Sequence, residues 1–355
     1  MLADRTFHPD EANQALTTGK LLETGAYAYQ PNDHHGPTLY YAGAALQKAA
    51  SHADTASLDG SLLRCTPLLF AFLALVFGAL AIRKILAGAK FRAAYALSFA
   101  LLLCTAPAFA FFSTFYIQEM LLACFLAMAF WAAFARNGFY FGVATGLAFA
   151  TKETSLLSFA AAFAAYAVAN GRDSFRLPRK ATQPVVAIAT FALVAATLYS
   201  SFGSNWQGLW DAIVAMPAAY LHRAAGDAAA GGAANHVHPW FQHLKWIFCS
   251  GWRFSELALL LPVAAALAKV NAVDAASPAA AARKPFVFAA VYTAALAAIY
   301  SAIPYKTPWC DLQIVLGLAT AAALALPLFR SRALRAAFVA LVLAFHVPGV
   351  HFKIK

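Results

Sequence analysis

Long apolar runs separated by short polar segments fill the chain after residue 60. The runs are about 20 residues long, the length that a helix needs to cross a hydrocarbon core of about 30 Å, and they lack the alternation of barrel strands. We therefore predict an all-α fold, a polytopic transmembrane helical bundle. The ten predicted spans are 62–82, 93–112, 118–135, 139–151, 154–170, 183–202, 246–268, 285–303, 309–329 and 333–350.

The spans divide the chain into four parts. Residues 1–60 form a polar first loop with interfacial helices, and residues 203–245 form a second long polar loop. Spans fill residues 61–202, which include a short hairpin at 139–170, and residues 246–355.

Two helices are predicted within the first loop. Pro9 is followed by Asp10 and Glu11, which is typical of a helix start, because proline fits the first turn and acidic side chains favour the positive end of the helix dipole. This helix is expected to end near Gly25. An apolar and aromatic stretch from residue 37 to about 50 is expected to lie along the membrane interface.

The first limb of the hairpin is too short for a complete crossing. It has about 13 residues, which at 1.5 Å per residue reach only about 20 Å of a core of about 30 Å. We therefore expect the turn at 151–154 to lie below the membrane surface, where a polar cavity lined by protein accommodates Lys152 and Glu153. The alternative is that these two side chains pair with each other at an uneven interface.

The composition agrees with a membrane protein. Hydrophobic residues make up 62% of the chain and charged residues 12%, against about 25% charged in ordinary soluble domains. A net charge of +11 would suggest nucleic acid as the partner of a soluble protein, but here the basic residues follow the spans and we expect no nucleic-acid partner. The five cysteines form no close pair and indicate neither a metal knuckle nor a disulfide framework.

Basic residues are concentrated in alternate loops. With residues 1–60 outside, the loops predicted inside carry 15 basic and two acidic residues, whereas the other side carries 11 basic and 13 acidic residues. This distribution satisfies the positive-inside rule. We therefore expect a multi-pass protein of the cytoplasmic (inner) membrane. Every histidine lies on the outer side or at the outer end of a span, so the active face is expected to be extracytoplasmic.

Two charged residues stand at outer boundaries of the spans. Glu119 begins a span, where a carboxylate either marks the helix start or points into an outward cavity. Lys306 lies between Pro304 and Pro308, which fix the shape of its turn. A lysine in this turn suits a phosphate group, although a single lysine at such a boundary is also a common interfacial anchor.

Histidines occur in both polar loops. His34 and His35 are adjacent in the first loop, and one residue separates His236 from His238 in the second. Together they offer ligands for a transition metal, but their spacing matches no standard set. We assign no metal site and no certain cofactor, and a divalent metal is an option that the sequence does not indicate.

Carboxylates and lysines around one outward cavity suit transfer to a hydroxyl group. Asp10, Glu11 and Glu119 are candidate bases for the proton of the acceptor, and the positive charges of Lys152 and Lys306 suit a phosphate leaving group. Polyprenyl-phosphate sugars are membrane donors with such a leaving group. They need a lipid-accessible groove beside an aqueous cavity, which spans of unequal length provide.

Five motifs follow one another on the predicted outer face, and Gln118-Glu119 lies between the second and the third. The motifs are Asp10-Glu11-Ala12, His35-Gly36-Pro37-Thr38-Leu39-Tyr40-Tyr41, Thr151-Lys152-Glu153-Thr154-Ser155, His238-Pro239-Trp240 and Pro304-Tyr305-Lys306-Thr307-Pro308-Trp309. This series resembles the GT-C superfamily of membrane glycosyltransferases, which includes protein O-mannosyltransferases and the aminoarabinose transferases that act on lipid A. The residues of these motifs are most similar to those of the family of flippase activity-associated proteins.

The resemblance implies roles for the candidate residues. Asp10 corresponds to the catalytic base, with Glu11 as its neighbour and Glu119 as the second acidic position. Lys152 and Lys306 would contact the donor phosphate. The other predicted substrate-binding residues are His34, His35, Tyr40, Glu153, His238 and Trp240.

The resemblance also sets expectations for the whole chain. Members of the superfamily have a helix before the Asp-Glu loop, so we expect that the usual first helix is missing here, through a misassigned start codon or a truncated chain. Many relatives also end in a soluble outer domain, whereas this sequence stops at Lys355.

Three functions are consistent with these features. The main hypothesis is an enzyme that moves a sugar from a polyprenyl-phosphate donor to a lipid, glycan or protein hydroxyl, with membrane lipids around it. The alternative is an accessory or transport protein for flipping lipid-linked saccharides, and a third is a member with only a binding or structural role. A transporter would place polar groups near the midplane of paired halves, whereas here they cluster at one face, which favours catalysis.

Overall fold

The computed structural model describes residues 5–32, 35–171, 182–226, 236–249, 255–272 and 280–354. Within these ranges the chain is helical and forms no strand, apart from one β-bridge between Val237 and Tyr305. The predicted all-α fold is confirmed. The helices are α1 (Pro9–Thr24), α2 (Thr38–Ala49), α3 (Gly60–Ile85), α4 (Arg92–Cys104), α5 (Pro107–Phe112), α6 (Glu119–Ala135), α7 (Gly138–Phe149), α8 (Ser155–Asn170), α9 (Thr182–Tyr199), α10 (Trp206–Trp210), α11 (Met216–Ala224), α12 (Gln242–Phe248), α13 (Leu260–Leu267), α14 (Ala280–Ala302), α15 (Asp311–Ala325) and α16 (Arg332–Ile354).

The apolar helices correspond to the predicted spans. Five stretches are long and apolar enough to cross a membrane, namely α3, α9, α14, Pro308–Leu328 and Arg332–Val350. The shorter apolar helices are α4, α6, α7, α8 and Glu256–Leu267.

Two of the predicted spans differ in detail from the structure. The span predicted at 93–112 is broken between α4 and α5, because Pro107 has no N–H group to continue α4 and instead fits the first turn of α5. The described residues of the span predicted at 246–268 form the end of α12, a 3-10 turn at Ser255–Leu259 and α13, and residues 250–254 lie outside the described ranges.

Helix α15 is the centre of the bundle. All of its residues from Asp311 to Ala325 are buried, and it packs against α4, α6, α13 and α14. Alanine and leucine dominate its sequence, and small residues such as alanine and glycine let neighbouring helices approach closely. At Gly317, an added Cβ atom would lie only 2.5 Å from the hydroxyl of Thr293 on α14.

The two limbs of the short hairpin pack against different neighbours. Helix α7 lies against α6 and α9, whereas α8 lies against α14. The turn between the limbs therefore enters the space between these two groups of helices. All four of its residues, Thr151 to Thr154, are buried.

The two ends of the bundle carry different parts of the chain. At one end, Arg332 lies 4.7 Å from the ring of Phe91 and Lys269 lies 5.7 Å from that of Phe329. At the other end, α2 packs on α1 and on α3. The residues of the predicted catalytic motifs lie at this second end.

Glu11 fastens α1 to this second end. Its carboxylate is fully buried and accepts hydrogen bonds from Arg64 of α3 at 3.0 Å, from Arg5 at 3.0 Å and from the backbone N–H of Tyr116 at 3.0 Å. It also accepts from the N–H of His8 and so completes a capping box at the start of α1. One side chain thus joins α1, α3 and the segment before α6.

We expect Glu11→Ala to destabilise the protein strongly. The substitution leaves the guanidinium of Arg64 buried without its carboxylate, and breaking a buried pair in this way costs about 3–5 kcal/mol. Thermal and denaturant unfolding in detergent or nanodiscs measures the loss. Glu23→Ala is the control, since Glu23 is exposed on the same helix, and it should change the free energy of unfolding by less than about 1 kcal/mol. Equal stability of the two variants would show that Glu11 does not hold α1.

Candidate active site

A cavity of about 90 Å³ lies at the α1–α2 end of the bundle. It brings together α1, the turn between α7 and α8, α11, α12, α14 and the turn after α14. Three of the predicted site residues line it: Asp10 of α1, His35 of the segment between α1 and α2, and Lys152 of the turn between α7 and α8. The other lining residues are Thr154, Tyr220, Ala224, His243, Tyr300, Ile303, Tyr305, Thr307, Trp309 and Cys310.

Asp10 presents a half-exposed carboxylate to this cavity. Its Oδ2 atom lies 2.9 Å from Nδ1 of His8. The ring of His8 is placed by Phe115, with ring centroids 5.5 Å apart, and by the edge of Trp309 at 6.3 Å. The position of the Asp10 carboxylate is therefore set by α1 and, through His8, by Phe115 and by Trp309, which lines the cavity.

Lys152 reaches the cavity with a carboxylate behind it. Its ammonium donates a hydrogen bond to Oε1 of Glu119, and both side chains are buried. The second carboxylate oxygen of Glu119 has no hydrogen-bond partner in the part of the chain that the structure describes. Glu119 itself does not line the cavity, so it supports Lys152 rather than facing a substrate.

His35 is held by the buried carboxylate of Glu153, as Lys152 is by that of Glu119. Oε2 of Glu153 lies 2.8 Å from Nδ1 of His35, and Oε1 accepts a hydrogen bond of 2.9 Å from the hydroxyl of Tyr29. Glu153 is buried and both of its oxygens are used. The structure therefore places it as the residue that fixes His35 at the cavity.

A glycine allows the first loop to approach the turn between α7 and α8. A Cβ atom at Gly36 would lie 2.2 Å from the carbonyl oxygen of Ala150. The same carbonyl accepts a hydrogen bond of 3.2 Å from the N–H of Thr38. This close backbone contact sets His35 beside Glu153.

Glu11 and Tyr40 lie in the interior and outside the cavity. Burial by itself would raise the pKa of the Glu11 carboxyl, but the hydrogen bonds from Arg64 and from the backbone bring this pKa below its ordinary value. Glu11 is thus a carboxylate that is already saturated with donors and does not face the cavity. The hydroxyl of Tyr40 is bound by Gln14 and Gln118 in the core.

Lys306 is buried beside the cavity and does not line it. Its ammonium donates to the carbonyl oxygen of Ile303, and its backbone N–H donates to the carbonyl oxygen of His236 at 2.8 Å. Burial lowers the pKa of the Lys306 ammonium. The neighbours on both sides, Tyr305 and Thr307, do line the cavity, so Lys306 shapes the turn that forms one wall.

The predicted residues of the second loop lie at the edge of this region. The N–H of His238 donates to the carbonyl oxygen of Pro304 at 3.1 Å, and its ring meets Trp246 edge-on at 5.2 Å. Trp240 is 66% exposed and does not line the cavity. His34 lies outside the described residues. Within the described ranges, no three histidine, cysteine or acidic side chains come together as a metal site.

Sequence reasoning missed a pair that the structure brings to the cavity. Nδ1 of His243 lies 2.6 Å from Oδ1 of Asp311, and both side chains are buried. A signal was present, because Asp311 is an acidic residue near the start of a span, where ionisable residues usually serve a function. Arg64 gave a similar signal, because it is a single charge near the start of the apolar helix α3, and it was not predicted either.

Solved structures show which fold this is. ArnT from Cupriavidus metallidurans bound to undecaprenyl phosphate aligns with a TM-score of 0.67 and 15% identity, over 92% of this chain and 57% of that chain. The apo structure of the same protein aligns with a TM-score of 0.63 and 16% identity, over 92% of this chain and 56% of that chain. The chain thus spans just over half the length of ArnT.

These alignments show that the chain has the fold of ArnT, so the predicted resemblance is confirmed at the level of the fold alone. The chain is a multi-pass membrane protein. No family model matches the sequence, and no curated protein matches it. Membership in the flippase activity-associated family stays a prediction.

We expect Gly36→Ala to destabilise the site region. The added methyl group overlaps the carbonyl of Ala150, and overpacking of this kind typically costs about 1–3 kcal/mol. The melting temperature in detergent measures the effect. Gly88→Ala is the matched control, because open space surrounds the position of its Cβ atom. A melting temperature of Gly36→Ala no lower than that of Gly88→Ala would contradict the close contact.

Proposed function

We propose that the protein transfers a sugar from a polyprenyl-phosphate-linked donor to a hydroxyl group of a lipid, a glycan or a protein. We place this reaction on the extracytoplasmic face of the cytoplasmic membrane, in agreement with the distribution of basic residues. The observation that supports it most is the cavity in which the carboxylate of Asp10 and the ammonium of Lys152 face one space. A base and a cation at one site are the two groups that this reaction requires.

Asp10 acts as the base in this proposal. As the acceptor oxygen attacks the anomeric carbon of the sugar, its proton passes to a carboxylate oxygen of Asp10. The bond between the anomeric carbon and the phosphate oxygen breaks, and its electron pair leaves with the polyprenyl phosphate. Asp10 suits this role because, unlike Glu11, its carboxylate is partly open to the cavity.

Lys152 binds the phosphate in this proposal. Its positive charge is balanced by Glu119 when no donor is present, and an incoming phosphate adds a second anionic partner on the cavity side. A buried ammonium interacts strongly with negative charge that develops on a leaving group, because little water screens it.

A second cavity suits the polyprenyl chain. It has a volume of about 140 Å³ and is lined mainly by apolar side chains, among them Phe130, Phe159 and Phe288. Helix α14 contributes to both cavities, with Tyr300 on the polar one and Tyr292 on the apolar one. The residue directly before α8, Thr154, lines the polar cavity, and Ser158 of α8 lines the apolar one. The structure of ArnT bound to undecaprenyl phosphate supports a polyprenyl phosphate as the ligand of this fold.

We expect Asp10→Asn to abolish transfer without unfolding the protein. The amide keeps the size of the carboxylate but accepts no proton, and loss of a general base typically costs 10²–10⁴-fold in rate. Purified protein in lipid is incubated with a panel of labelled polyprenyl-phosphate sugars and mixed acceptors, and release of sugar from the lipid is measured.

Asp54→Asn is the control for this experiment, because Asp54 is an exposed aspartate in a turn away from the cavity. Full activity of a folded Asp10→Asn variant would remove Asp10 from the role of base. If no donor is consumed by the wild type, but labelled lipid crosses the bilayer only when protein is present, the accessory role in flipping replaces catalysis.

We expect loss of the Lys152 charge to weaken binding of the donor. The double variant Lys152→Gln/Glu119→Gln removes both charges together and so avoids an unpaired buried carboxylate. A charged hydrogen bond contributes about 1.5–3 kcal/mol, which corresponds to roughly 10–150-fold in affinity for labelled polyprenyl phosphate. Lys48→Gln, on an exposed turn of α2, is the control. Unchanged affinity of the folded double variant would exclude Lys152 as the phosphate ligand.

A further inference from the structure

His243 and Asp311 form a buried pair that the reaction described above does not use. His243 lies on α12 and Asp311 is the first residue of α15. Nδ1 of the imidazole is 2.6 Å from Oδ1 of the carboxylate, and the two residues are 1% and 3% exposed. The ring also lies 5.5 Å from the ring of Tyr300 and meets Trp246 edge-on at 5.4 Å. The imidazole is therefore fixed on several sides.

The orientation of this imidazole decides which nitrogen a ligand meets. A carboxylate only accepts hydrogen bonds, so Nδ1 carries the hydrogen that it donates to Asp311. In the neutral ring, Nε2 is then an acceptor with a free lone pair. Because His243 lines the same cavity as Asp10 and Lys152, Nε2 is the nitrogen left for a ligand in that cavity.

We propose that His243 is a substrate-binding residue, whose Nε2 accepts a hydrogen bond from a hydroxyl group of the sugar donor or of the acceptor, and that Asp311 is its positioning residue. The proposal rests on the proposed function, since it names the chemical group that the same site recognises.

The chemistry of the cavity favours a hydroxyl group as the ligand. An imidazole nitrogen that only accepts cannot hold a phosphate oxygen, which would need a donor, so the phosphate belongs with Lys152. Around His243 the wall is formed by Tyr220, Tyr300, Tyr305 and Trp309. Aromatic surfaces with a few fixed polar atoms are typical of sites that orient a small polar ligand.

The experiment removes the hydroxyl group of the ligand and the Nε2 atom of His243, first separately and then together. Binding and transfer are measured with the panel of polyprenyl-phosphate sugars, with the mixed acceptors and with monodeoxy analogues of both, for the wild type, His243→Phe, Asp311→Asn and the double variant. We expect each single variant to lose roughly tenfold, as for one hydrogen bond in a dry site. We expect the double variant to lose no more than His243→Phe does, because the two residues act as one unit.

The deoxy analogues test the contact itself. For the wild type, one analogue should lose roughly tenfold, whereas for His243→Phe the same analogue should lose nothing further. Weaker donor binding in His243→Phe assigns the hydroxyl to the donor, and unchanged donor binding with a raised KM for the acceptor assigns it to the acceptor.

A second measurement reports on Asp311 without turnover. Nitrogen NMR of labelled histidine should show the hydrogen of His243 on Nδ1 in the wild type. In Asp311→Asn the amide can donate to Nδ1, which moves the hydrogen to Nε2 and turns the acceptor into a donor. His52→Phe, in the turn before α3, is the control and should leave binding, transfer and this signal unchanged.

The outcomes separate this proposal from the proposed function. If the wild type transfers sugar and His243→Phe binds and transfers donors and deoxy analogues as the wild type does, the role of His243 is overturned and the enzyme stands. If no sugar is transferred, but the wild type binds donor and His243→Phe binds it tenfold more weakly, catalysis fails and the role of His243 stands. If no sugar is transferred and the two proteins bind donor equally, both proposals are overturned. If the wild type neither binds nor transfers any of the probes, both are overturned.

Discussion

Charges inside an apolar bundle have to be paired, and the pairs at the α1–α2 end define the site. The strongest constraint is the carboxylate of Glu11, which is fully buried between Arg64 and Arg5 and also binds two backbone N–H groups. An unpaired charge at this depth would cost several kcal/mol. The three elements that supply the donors therefore have to meet at Glu11. Asp10 lies directly before Glu11 in the first turn of α1. Its place at the cavity therefore depends on how Glu11 holds α1 against the bundle.

The same principle repeats around the cavity. Four charged or titratable side chains at its wall each have a partner at the side or behind: His8 for Asp10, Glu153 for His35, Glu119 for Lys152 and Asp311 for His243. In two of these pairs, His35–Glu153 and His243–Asp311, the partners are 118 and 68 residues apart along the chain. The partners fix the direction of these side chains, as supporting residues do in other active sites. The wall of the cavity is thus rigid where chemistry is proposed.

The helix arrangement explains why a polar cavity can exist beside an apolar one. Because α7 packs on α6 and α9 while α8 packs on α14, the turn between α7 and α8 is left inside the protein instead of at its surface. Lys152 and Thr154 of this turn then face the polar cavity. One turn further along α8, Ser158 faces the apolar cavity. A polar cavity next to an apolar one matches a ligand with a charged head group and a long apolar tail.

The sequence by itself determined the class of the protein and the positions of its apolar helices, because membrane solvation depends on local composition over about 20 residues. It also determined the start of α1, through Pro9 and the acidic residues after it, and the burial of the turn at Lys152, through the length of a single limb. Only the tertiary structure decided which polar side chains share a cavity. Glu11 and Tyr40 lie in the core, Trp240 lies at the surface, and His243 and Asp311 meet across 68 residues. The direction of a side chain depends on how helices far apart in the chain rotate and pack against each other, and no local pattern in the sequence records that.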